Sequence, residues 1–222
     1  MKLITLNLWF DNYLRLERSN IFIEYIKKEE PDVIFLQEAT LPVLQYIYIR
    51  IQKEYPHIHT SIEEIGYGLA IISKKKINKR KNLGFKNTKM GRSLLYGEIE
   101  GIIYATTHLE SVFGKEKYKK TEQFNSSITL LSKYYDKIIF GGDTNLTNNQ
   151  SKDLELKEFE DVYIKFKDES EKYTYDGVDN PLLKNKSRSR LDRLFTKNVN
   201  VSSYKVEKDY VMSDHFALKI IV

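Results

Sequence analysis

The sequence predicts an α/β (α+β) protein in which two packed mixed β-sheets are flanked by helices. Near the start of the chain, apolar β-branched runs alternate with long amphipathic segments, which is typical of strand–helix–strand units. Later runs follow one another across tight turns, as between Leu94–Glu100 and Ile102–His108, which is typical of hairpins. The chain has no evident internal repeat or domain boundary, so we expect residues 1–222 to form a single domain.

The first elements follow from hydrophobic periodicity. Lys2–Asn7 is an apolar run and is predicted to be a buried strand. Arg15–Glu29 carries apolar side chains on one helical face and charges on the other, which indicates an amphipathic helix. Asp32–Gln37 is the second predicted strand. Thr40 is a suitable N-cap for a second helix that extends to about Tyr55.

The rest of the chain is predicted to contain seven strands and one further long helix. The helix occupies Lys115–Tyr135. Two basic segments with few apolar residues, Lys74–Lys86 and Asn180–Arg190, are predicted to be solvated loops, and His57 and His59 to be surface residues. The strands are Gly68–Ser73, Leu94–Glu100, Ile102–His108, Lys137–Gly141, Leu191–Phe195, Ser203–Val206 and Phe216–Val222.

Composition excludes several kinds of chemistry. The 222 residues include no cysteine, which rules out disulfides, cysteine-ligated zinc, iron–sulfur clusters and thiol nucleophiles. The net charge of +5 and the sixteen tyrosines suit a nucleic acid or another polyanion, although a lysine-rich proteome explains the charge equally well. Because the chain shows no signal-peptide pattern and no run of membrane-spanning length, we expect a soluble intracellular protein, in the nucleus or the cytoplasm.

Polar side chains follow three of the apolar runs. Asn7, Glu38 and Asp143 lie at or just beyond the ends of predicted strands. Loops at strand ends meet at one rim of a layered α/β domain, where ligands usually bind. Oxygen ligands without cysteine favour magnesium or manganese over zinc, so Glu38 is predicted to bind a metal with help from Asn7.

The segment Gly142-Asp143-Thr144-Asn145 is the candidate for proton transfer. An aspartate and an asparagine two residues apart can accept a proton from water and orient it, so Asp143 is the predicted base and Asn145 the orienting residue. The alternative is an Asx turn that begins the next segment.

Two histidines complete the candidate site. His215 follows Asp214, a second predicted metal ligand, and could stabilise phosphoryl charge, with Asp192 holding its tautomer. Arg193 could instead form a salt bridge with Asp192. His108 closes a predicted strand and could donate to a nonbridging phosphate oxygen, although a single histidine at a strand end is often structural.

Taken together, these motifs resemble the endonuclease/exonuclease/phosphatase superfamily in order and spacing. They are Asn7, Gln37-Glu38, Gly142-Asp143-Thr144-Asn145 and Ser213-Asp214-His215. Five further segments are similar to the catalytic domain of its tyrosyl-DNA phosphodiesterase 2 branch: Pro31–Glu38, Thr88–Leu95, His108–Ser111, Gly142–Leu146 and Tyr173–Asp176. The resemblance extends over nearly the whole chain and implies a four-layer α/β sandwich of the DNase I-like type.

The resemblance implies a Mg²⁺-dependent phosphodiesterase, with Mn²⁺ as an alternative metal. The implied substrate is a DNA 5′ end that carries a covalent tyrosine, with RNA 5′ adducts as a related substrate. We expect a monomer that does not bind membranes. Two alternatives remain: an AP endonuclease or general nuclease of the same superfamily, and a binding module on a degenerate hydrolase fold. The second alternative is disfavoured because Glu38, Asp143, Asn145 and His215 are all present.

Substrate binding is assigned to four residues: Arg92, Ser111, Phe113 and Tyr175. Arg92 matches the phosphate-contacting segment of the family, and the two aromatic rings could stack on terminal bases. Each ring could equally be part of the core. Four lysines at the start of the third predicted helix could attract DNA or form a solvated helix face: Lys115, Lys117, Lys119 and Lys120.

The chain also departs from the family pattern. Leu6 replaces a tryptophan, and Trp9 replaces an aspartate that could contact the metal through water. Phe113 and Thr147 replace arginines, and Tyr175 replaces the tryptophan of a Thr-Trp-Asp motif. The catalytic set is therefore retained, whereas the set of residues expected to contact DNA is altered.

Overall fold

The computed structural model describes residues 1–62, 66–112, 116 and 118–222. In chain order the elements are β1 (Lys2–Asn7), α1 (Arg15–Glu29), β2 (Val33–Thr40), α2 (Leu41–Ile51), β3 (His57–Thr60), β4 (Tyr67–Ser73), β5 (Asn78–Gly84), β6 (Ser93–Ile99), β7 (Ile102–His108), α3 (Tyr118–Tyr134), β8 (Ile138–Asp143), β9 (Glu160–Asp161), α4 (Val162–Phe166), β10 (Tyr175–Asp176), β11 (Arg188–Ser189), β12 (Asp192–Lys197), β13 (Ser203–Glu207) and β14 (Ala217–Ile221). Short 3₁₀ turns occupy Gln150–Asp153 and Glu169–Glu171.

Two six-stranded mixed sheets dominate the fold. The first has the order β13-β14-β1-β2-β4-β3 and the second the order β5-β6-β7-β8-β12-β9, while β10 and β11 pair separately. Each large sheet contains one parallel pair, β1 with β2 and β7 with β8, next to antiparallel neighbours. The predicted pair of mixed sheets is therefore confirmed. Among the described helices, none combines the length and apolar character needed to cross a membrane.

Because side chains alternate along each strand, the apolar core consists of three clusters, one between the sheets and one on the outer face of each sheet. In β2, Val33 and Phe35 pack in the cluster between the sheets, whereas Ile34 and Leu36 pack with residues of α1 and α2. A third cluster lies between the second sheet and α3, around Phe124. The order of layers is helices, sheet, sheet, helix, which confirms the expected four-layer sandwich.

The two edge strands on one side of the sandwich, β3 and β5, were not predicted from the sequence. Lys74–Lys86, predicted to be a loop, contains β5, whose backbone pairs with β6 while its side chains are mostly exposed. An exposed polar edge strand carries no apolar alternation, so periodicity cannot detect it. His57 and His59 lie half-buried in β3, and His59 Nε2 is 3.0 Å from the carbonyl oxygen of Lys81.

The second basic segment is also more structured than predicted. Within Asn180–Arg190, Arg188 and Ser189 form β11, which pairs with β10. Arg190 is buried, and its guanidinium donates two hydrogen bonds of 2.8 Å to the Asp161 carboxylate. A buried ion pair of this kind depends on a partner far along the chain, so local composition gave no sign of it.

A small group of buried polar side chains joins the two sheets beside the parallel strand pairs, β1 with β2 and β7 with β8. Gln37 Nε2 donates to Thr106 Oγ1 of the opposite sheet at 3.0 Å and to Thr5 Oγ1 at 3.1 Å. Gly142 lies against this group with a φ of +126°. A Cβ there would approach the carbonyl oxygen of Thr107 to 2.4 Å and Gln37 Nε2 to 2.9 Å. Both the backbone conformation and the space therefore require glycine.

Replacing Gly142 by alanine should lower the free energy of unfolding by about 2–3 kcal/mol, because the substitution combines backbone strain with a steric clash. Urea denaturation of the purified protein measures this loss. Gly84→Ala is the matched control, since no atom lies within 4 Å of its added Cβ. Equal effects of the two substitutions would contradict the assignment of Gly142 as an obligatory glycine.

Candidate active site

The polar end of the space between the sheets forms the candidate active site. Asn7, His108, Asp143 and Asp192 each lie two or four positions along a strand from an apolar residue of the inter-sheet core. Because side chains alternate along a strand, all four point into the gap between the sheets. The strand register places His108 and Asp192 on either side of Asp143. The structure thus brings together four residues that the sequence had placed in separate motifs.

Asp143 lies at the centre of this site and is almost fully buried. Asn7 Nδ2 donates to Asp143 Oδ2 at 2.9 Å, and the backbone N–H of Asn145 donates to Oδ1 at 3.0 Å. His108 Nε2 is 3.3 Å from Oδ2. The predicted Asx turn is therefore present together with the predicted base–asparagine pair, and Asn145 Nδ2 is held by the carbonyl oxygen of Leu109 at 3.0 Å. These contacts fix the plane of the Asp143 carboxylate.

Glu38 reaches the site because β2 is irregular at this point. Regular alternation would direct Glu38, like Leu36, toward the helices. The pairing of β2 with β4 shifts between Leu36 and Ala39, and Glu38 adopts a φ of +52°. This bulge redirects the side chain, so that Oε1 lies 3.8 Å from His108 Nε2 and Oε2 accepts a hydrogen bond of 3.1 Å from the Phe10 N–H.

His108 is held as a neutral donor. Its Nδ1 lies 2.7 Å from Nη1 of Arg92, and a guanidinium can only donate, so Nδ1 accepts and the ring proton is on Nε2. Burial lowers the pKa of His108 to about 3, with Asp143 opposing this shift and Arg92 adding to it. The Nε2–H group therefore faces the site without a positive charge on the ring.

His215 has the opposite protonation state. Burial alone lowers the pKa of a histidine, but Asp192, Asp143 and Asp214 together raise the pKa of His215 well above its ordinary value. Its Nδ1 donates to Asp192 Oδ2 at 2.7 Å, as predicted for the tautomer-holding aspartate. The site thus combines one neutral and one charged imidazole.

The alternative prediction, a salt bridge between Arg193 and Asp192, is wrong. Arg193 is fully buried and lies 3.3 Å from Asp161, so it belongs to the ion cluster with Arg190. The N–H of Asp192 instead donates to Thr174 Oγ1 at 3.0 Å. Thr174, the residue before Tyr175, thus holds the backbone of Asp192.

The donor set fits a divalent cation. Asp143, Asp192 and His215 have oxygen or nitrogen atoms within 4.8 Å of one another. Because His215 is held as an imidazolium, the carboxylates rather than this ring are the donors for a cation. Within the described part of the chain, Asp192 Oδ1 is buried without a hydrogen-bond partner. Burial and the nearby Asp143 charge raise the pKa of Glu38, and burial likewise raises that of Asp214. A divalent cation would offset this crowding of buried carboxylates.

Arg92 belongs to a network that joins two of the family-like segments. Glu110 accepts hydrogen bonds from Thr88 Oγ1 at 2.6 Å and from the Lys89 N–H at 2.7 Å, so these segments contact each other. Arg92 is buried beneath a cavity of about 440 Å³ that is also lined by His108 and Tyr67. The expected contact of Arg92 with a phosphate stays a prediction, whereas its contact with His108 is present.

The other predicted substrate contacts lie around this centre. Tyr175 is half-buried, and its ring meets that of His215 edge to face at 5.4 Å. Ser111 is also half-buried, and its Oγ lies 3.4 Å from the sulfur of Met90. Three expected contacts lie outside the described residues: Phe113, Lys115 and Lys117.

Lys119 and Lys120, for which the alternatives were attraction of DNA or a solvated helix face, are buried. Lys119 is 9% exposed and lies 3.4 Å from Glu116 Oε1, while Lys120 is 3% exposed. The ammonium of Lys120 donates to the carbonyl oxygen of Asn145 at 2.8 Å. The interpretation as a solvated face is therefore wrong for both, because the start of α3 packs against the Asp143–Asn145 loop.

The sequence did not predict that two aromatic rings, Phe10 and Tyr67, stack beside the site. Phe10 stacks on Tyr67 with ring centroids 4.8 Å apart, and Tyr67 lies 6.4 Å from the His108 ring and under the Arg92 guanidinium. Phe10 is 48% exposed and available to a ligand. Its place between Asn7 and the first helix was a weak signal, because an aromatic residue after a strand is more often part of the core.

Comparison with known proteins gives consistent results. The model of the Endonuclease/Exonuclease/phosphatase family matches residues 4–215. Tyrosyl-DNA phosphodiesterase 2 of Bos taurus is 35% identical over 147 residues, covering 61% of this chain and 38% of that protein. The Gallus gallus protein of the same name is 32% identical over 198 residues, covering 81% and 51%. The chain spans about two fifths to one half of the length of these curated relatives.

Solved structures agree on the fold. Danio rerio TDP2, complexed with a single-strand DNA product, superposes with a TM-score of 0.89 at 23% identity and covers 99% of this chain and 97% of that one. An endonuclease/exonuclease/phosphatase family protein from Leptotrichia buccalis gives a TM-score of 0.78 at 22% identity and covers 100% and 99%. At these identities the likeness establishes the architecture.

Asp192→Asn should lower the pKa of His215, because it removes the negative charge that stabilises the imidazolium. The measurement is an NMR titration of the histidine ring protons in metal-free protein. His108 is the internal control, since it is bonded to Arg92 rather than to Asp192. An unchanged His215 titration would show that Asp192 does not hold the charge on this ring.

Proposed function

The chain belongs to the endonuclease/exonuclease/phosphatase family, and we propose that it is a divalent-metal-dependent phosphodiesterase that releases tyrosine from a DNA 5′-phosphate. The observation that carries this proposal is the buried Asp143 carboxylate, fixed by Asn7 and Asn145 and lying beside one neutral and one positively charged histidine. The named relatives support the tyrosyl-DNA substrate, and the product leaves with a 5′-phosphate.

Asp143 acts as the general base in this proposal. A water molecule that attacks the phosphorus in line must lose a proton, and the buried carboxylate of Asp143 accepts it. The Asn145 side chain is oriented by its bond to the Leu109 carbonyl oxygen, which leaves the amide oxygen to position that water. Asn7 keeps the carboxylate plane aligned through its 2.9 Å hydrogen bond.

The two histidines bind the phosphate in different ways. His215 carries a positive charge that attracts a nonbridging oxygen and strengthens this contact as negative charge moves onto that oxygen. His108 donates through a neutral Nε2–H, so it adds a hydrogen bond without further charge. Because the partners of both rings are built into the fold, little reorganisation is required when the substrate binds.

Glu38 and Asp214 are the proposed ligands of Mg²⁺, with Asn7 in support and Mn²⁺ as an alternative metal. The bound cation would neutralise charge on the phosphate and on the leaving oxygen. The bulge at Glu38 and the bond from Phe10 hold that carboxylate at the site before any metal arrives.

A tyrosyl leaving group matches the residues available. A phenol has an intrinsic pKa of about 10, so its anion departs far more readily than a sugar alkoxide and needs no dedicated general acid. Tyr175, beside His215, and Ser111 and Arg92, near His108, are the proposed substrate contacts, together with Phe113. We also propose that residues 1–222 form one catalytic domain that acts as a monomer; its support is that Asn7, His108, Asp143 and Asp192 gather in the gap between the two sheets.

Hydrolysis of a 5′-phosphotyrosyl oligonucleotide with Mg²⁺ tests the proposed activity, beside its 3′-linked isomer, the RNA equivalent and an abasic-site duplex. We expect cleavage of the 5′ adduct and a loss of at least about 10³-fold in Asp143→Asn, because the base is removed. Asp209→Asn, an exposed aspartate, is the matched control and should retain activity. Cleavage confined to abasic or internal sites would assign the protein to the general nucleases instead.

Glu38→Gln should weaken activation by metal, because the amide removes a negative charge from the proposed ligand set. The concentration of Mg²⁺ or Mn²⁺ needed for half-maximal hydrolysis should rise by about tenfold or more. Thermal unfolding without metal provides the control for folding. An unchanged metal requirement would remove Glu38 from the ligand set.

A further inference from the structure

Two arginines of α1 hold the segment between β1 and α1. Arg15 Nη2 donates to Phe10 O at 2.7 Å, and the buried Arg18 makes the larger set of bonds. Arg18 of α1 is 3% exposed, and its five N–H groups match five hydrogen bonds to main-chain carbonyl oxygens of this segment. They join Nε to Tyr13 O at 2.9 Å, Nη1 to Leu8 O at 2.7 Å and Trp9 O at 3.2 Å, and Nη2 to Trp9 O at 3.2 Å and Asp11 O at 2.7 Å.

The conformation of this segment requires such support. Trp9 and Leu14 have φ values of +56° and +48°, which residues with side chains rarely adopt. Strained backbone persists only where its surroundings hold it, and here the Trp9 ring also packs under the guanidinium at 4.6 Å. Trp9, one of the departures from the family pattern, thus has a role in fastening the segment to Arg18.

The opposite side of the same segment faces the candidate active site. Three consecutive N–H groups point to it: that of Leu8 donates to Gln37 O at 2.9 Å, that of Trp9 to Asn7 Oδ1 at 2.9 Å, and that of Phe10 to Glu38 Oε2 at 3.1 Å. The carbonyls of the segment therefore bind Arg18, while its N–H groups orient a proposed metal ligand and the asparagine that aligns Asp143.

We propose that Arg18 is a positioning residue for the metal site, acting on Glu38 and Asn7 through the backbone of residues 8–13. This inference rests on the proposed function and adds a determinant of metal affinity that does not itself contact the metal. Removing the guanidinium takes its hydrogen bonds from the carbonyls of Leu8, Trp9 and Tyr13 and leaves that of Asp11 with only the 3.4 Å bond from Arg15. Trp9 can then leave its strained conformation, which loosens the Phe10 N–H that holds Glu38. The predicted consequence is a weaker site for a divalent cation in a protein whose core is otherwise intact.

Mn²⁺ binding to the DNA-free protein, followed by electron paramagnetic resonance, tests this proposal. Arg18→Met, which keeps the length of the side chain, should raise the dissociation constant for Mn²⁺ by about tenfold, the usual cost of losing an outer-shell contact. Arg18→Lys should fall between Arg18→Met and the wild type, because an ammonium cannot reach all four carbonyls. Guanidinium ion, far below unfolding concentrations, should partly restore Mn²⁺ affinity in Arg18→Ala, which vacates the space of the side chain, whereas sodium chloride should not.

Arg50→Met is the matched control. Arg50 is an exposed arginine of α2 that also packs on a ring and bonds a carbonyl, with its Cζ 3.6 Å above Tyr46, but it has no contact with the segment after β1. This variant should bind Mn²⁺ as the wild type does. Circular dichroism and thermal unfolding in the absence of metal confirm that each variant is folded, and Arg18→Lys serves if Arg18→Met does not fold.

The outcomes separate this proposal from the proposed function. Folded Arg18 variants that bind Mn²⁺ with wild-type affinity would overturn the positioning role, even if the wild type hydrolyses 5′-tyrosyl DNA. Loss of affinity without guanidinium rescue would also contradict it, since the effect would then not arise from the vacated carbonyls. If the wild type binds Mn²⁺ tightly but cleaves none of the test substrates, the proposed function fails while the role of Arg18 stands.

Discussion

Contact between the two sheets controls the geometry of the site. Asn7 belongs to one sheet and Asp143 to the other, yet they share a buried hydrogen bond of 2.9 Å. Beneath them, Gln37 crosses to Thr106, and Gly142 allows the backbones to approach where any side chain would collide. A change in the spacing of the sheets would therefore separate the proposed base from the residue that aligns it, which makes the inter-sheet core part of the catalytic apparatus.

The buried neighbours of His108 and His215 determine whether each ring is charged. Two histidines that look equivalent in the sequence end in opposite protonation states, because His108 accepts from Arg92 while His215 donates to Asp192. In the proposed function, a phosphate that enters between them would meet one cation and one neutral donor. Farther from the site, Lys120 bonds the main-chain carbonyl of Asn145, and Arg18 bonds the carbonyls of the segment whose Phe10 N–H donates to Glu38.

Much of the fold was predictable because burial imposes periodicity on the sequence. β1, α1 and the parallel-pair strands were predicted at or near their observed bounds, since each has one or both faces in the core. β3 and β5 were missed, because edge strands with exposed side chains carry no such pattern. The burial of Lys119 and Lys120 was missed for a related reason: amphipathicity does not reveal which lysine will meet a loop from elsewhere in the chain.

The sequence by itself determined which residue types gather at the rim, because motif order and strand alternation direct Asn7, His108 and Asp143 to the same gap. Tertiary structure alone decided how they act there. It directed Glu38 into the site through a bulge that breaks the strand alternation, and it made His108 neutral and His215 positively charged. It also anchored the segment after β1 to Arg18. These features depend on burial and on contacts between residues far apart in the chain. A local sequence pattern contains no information about either.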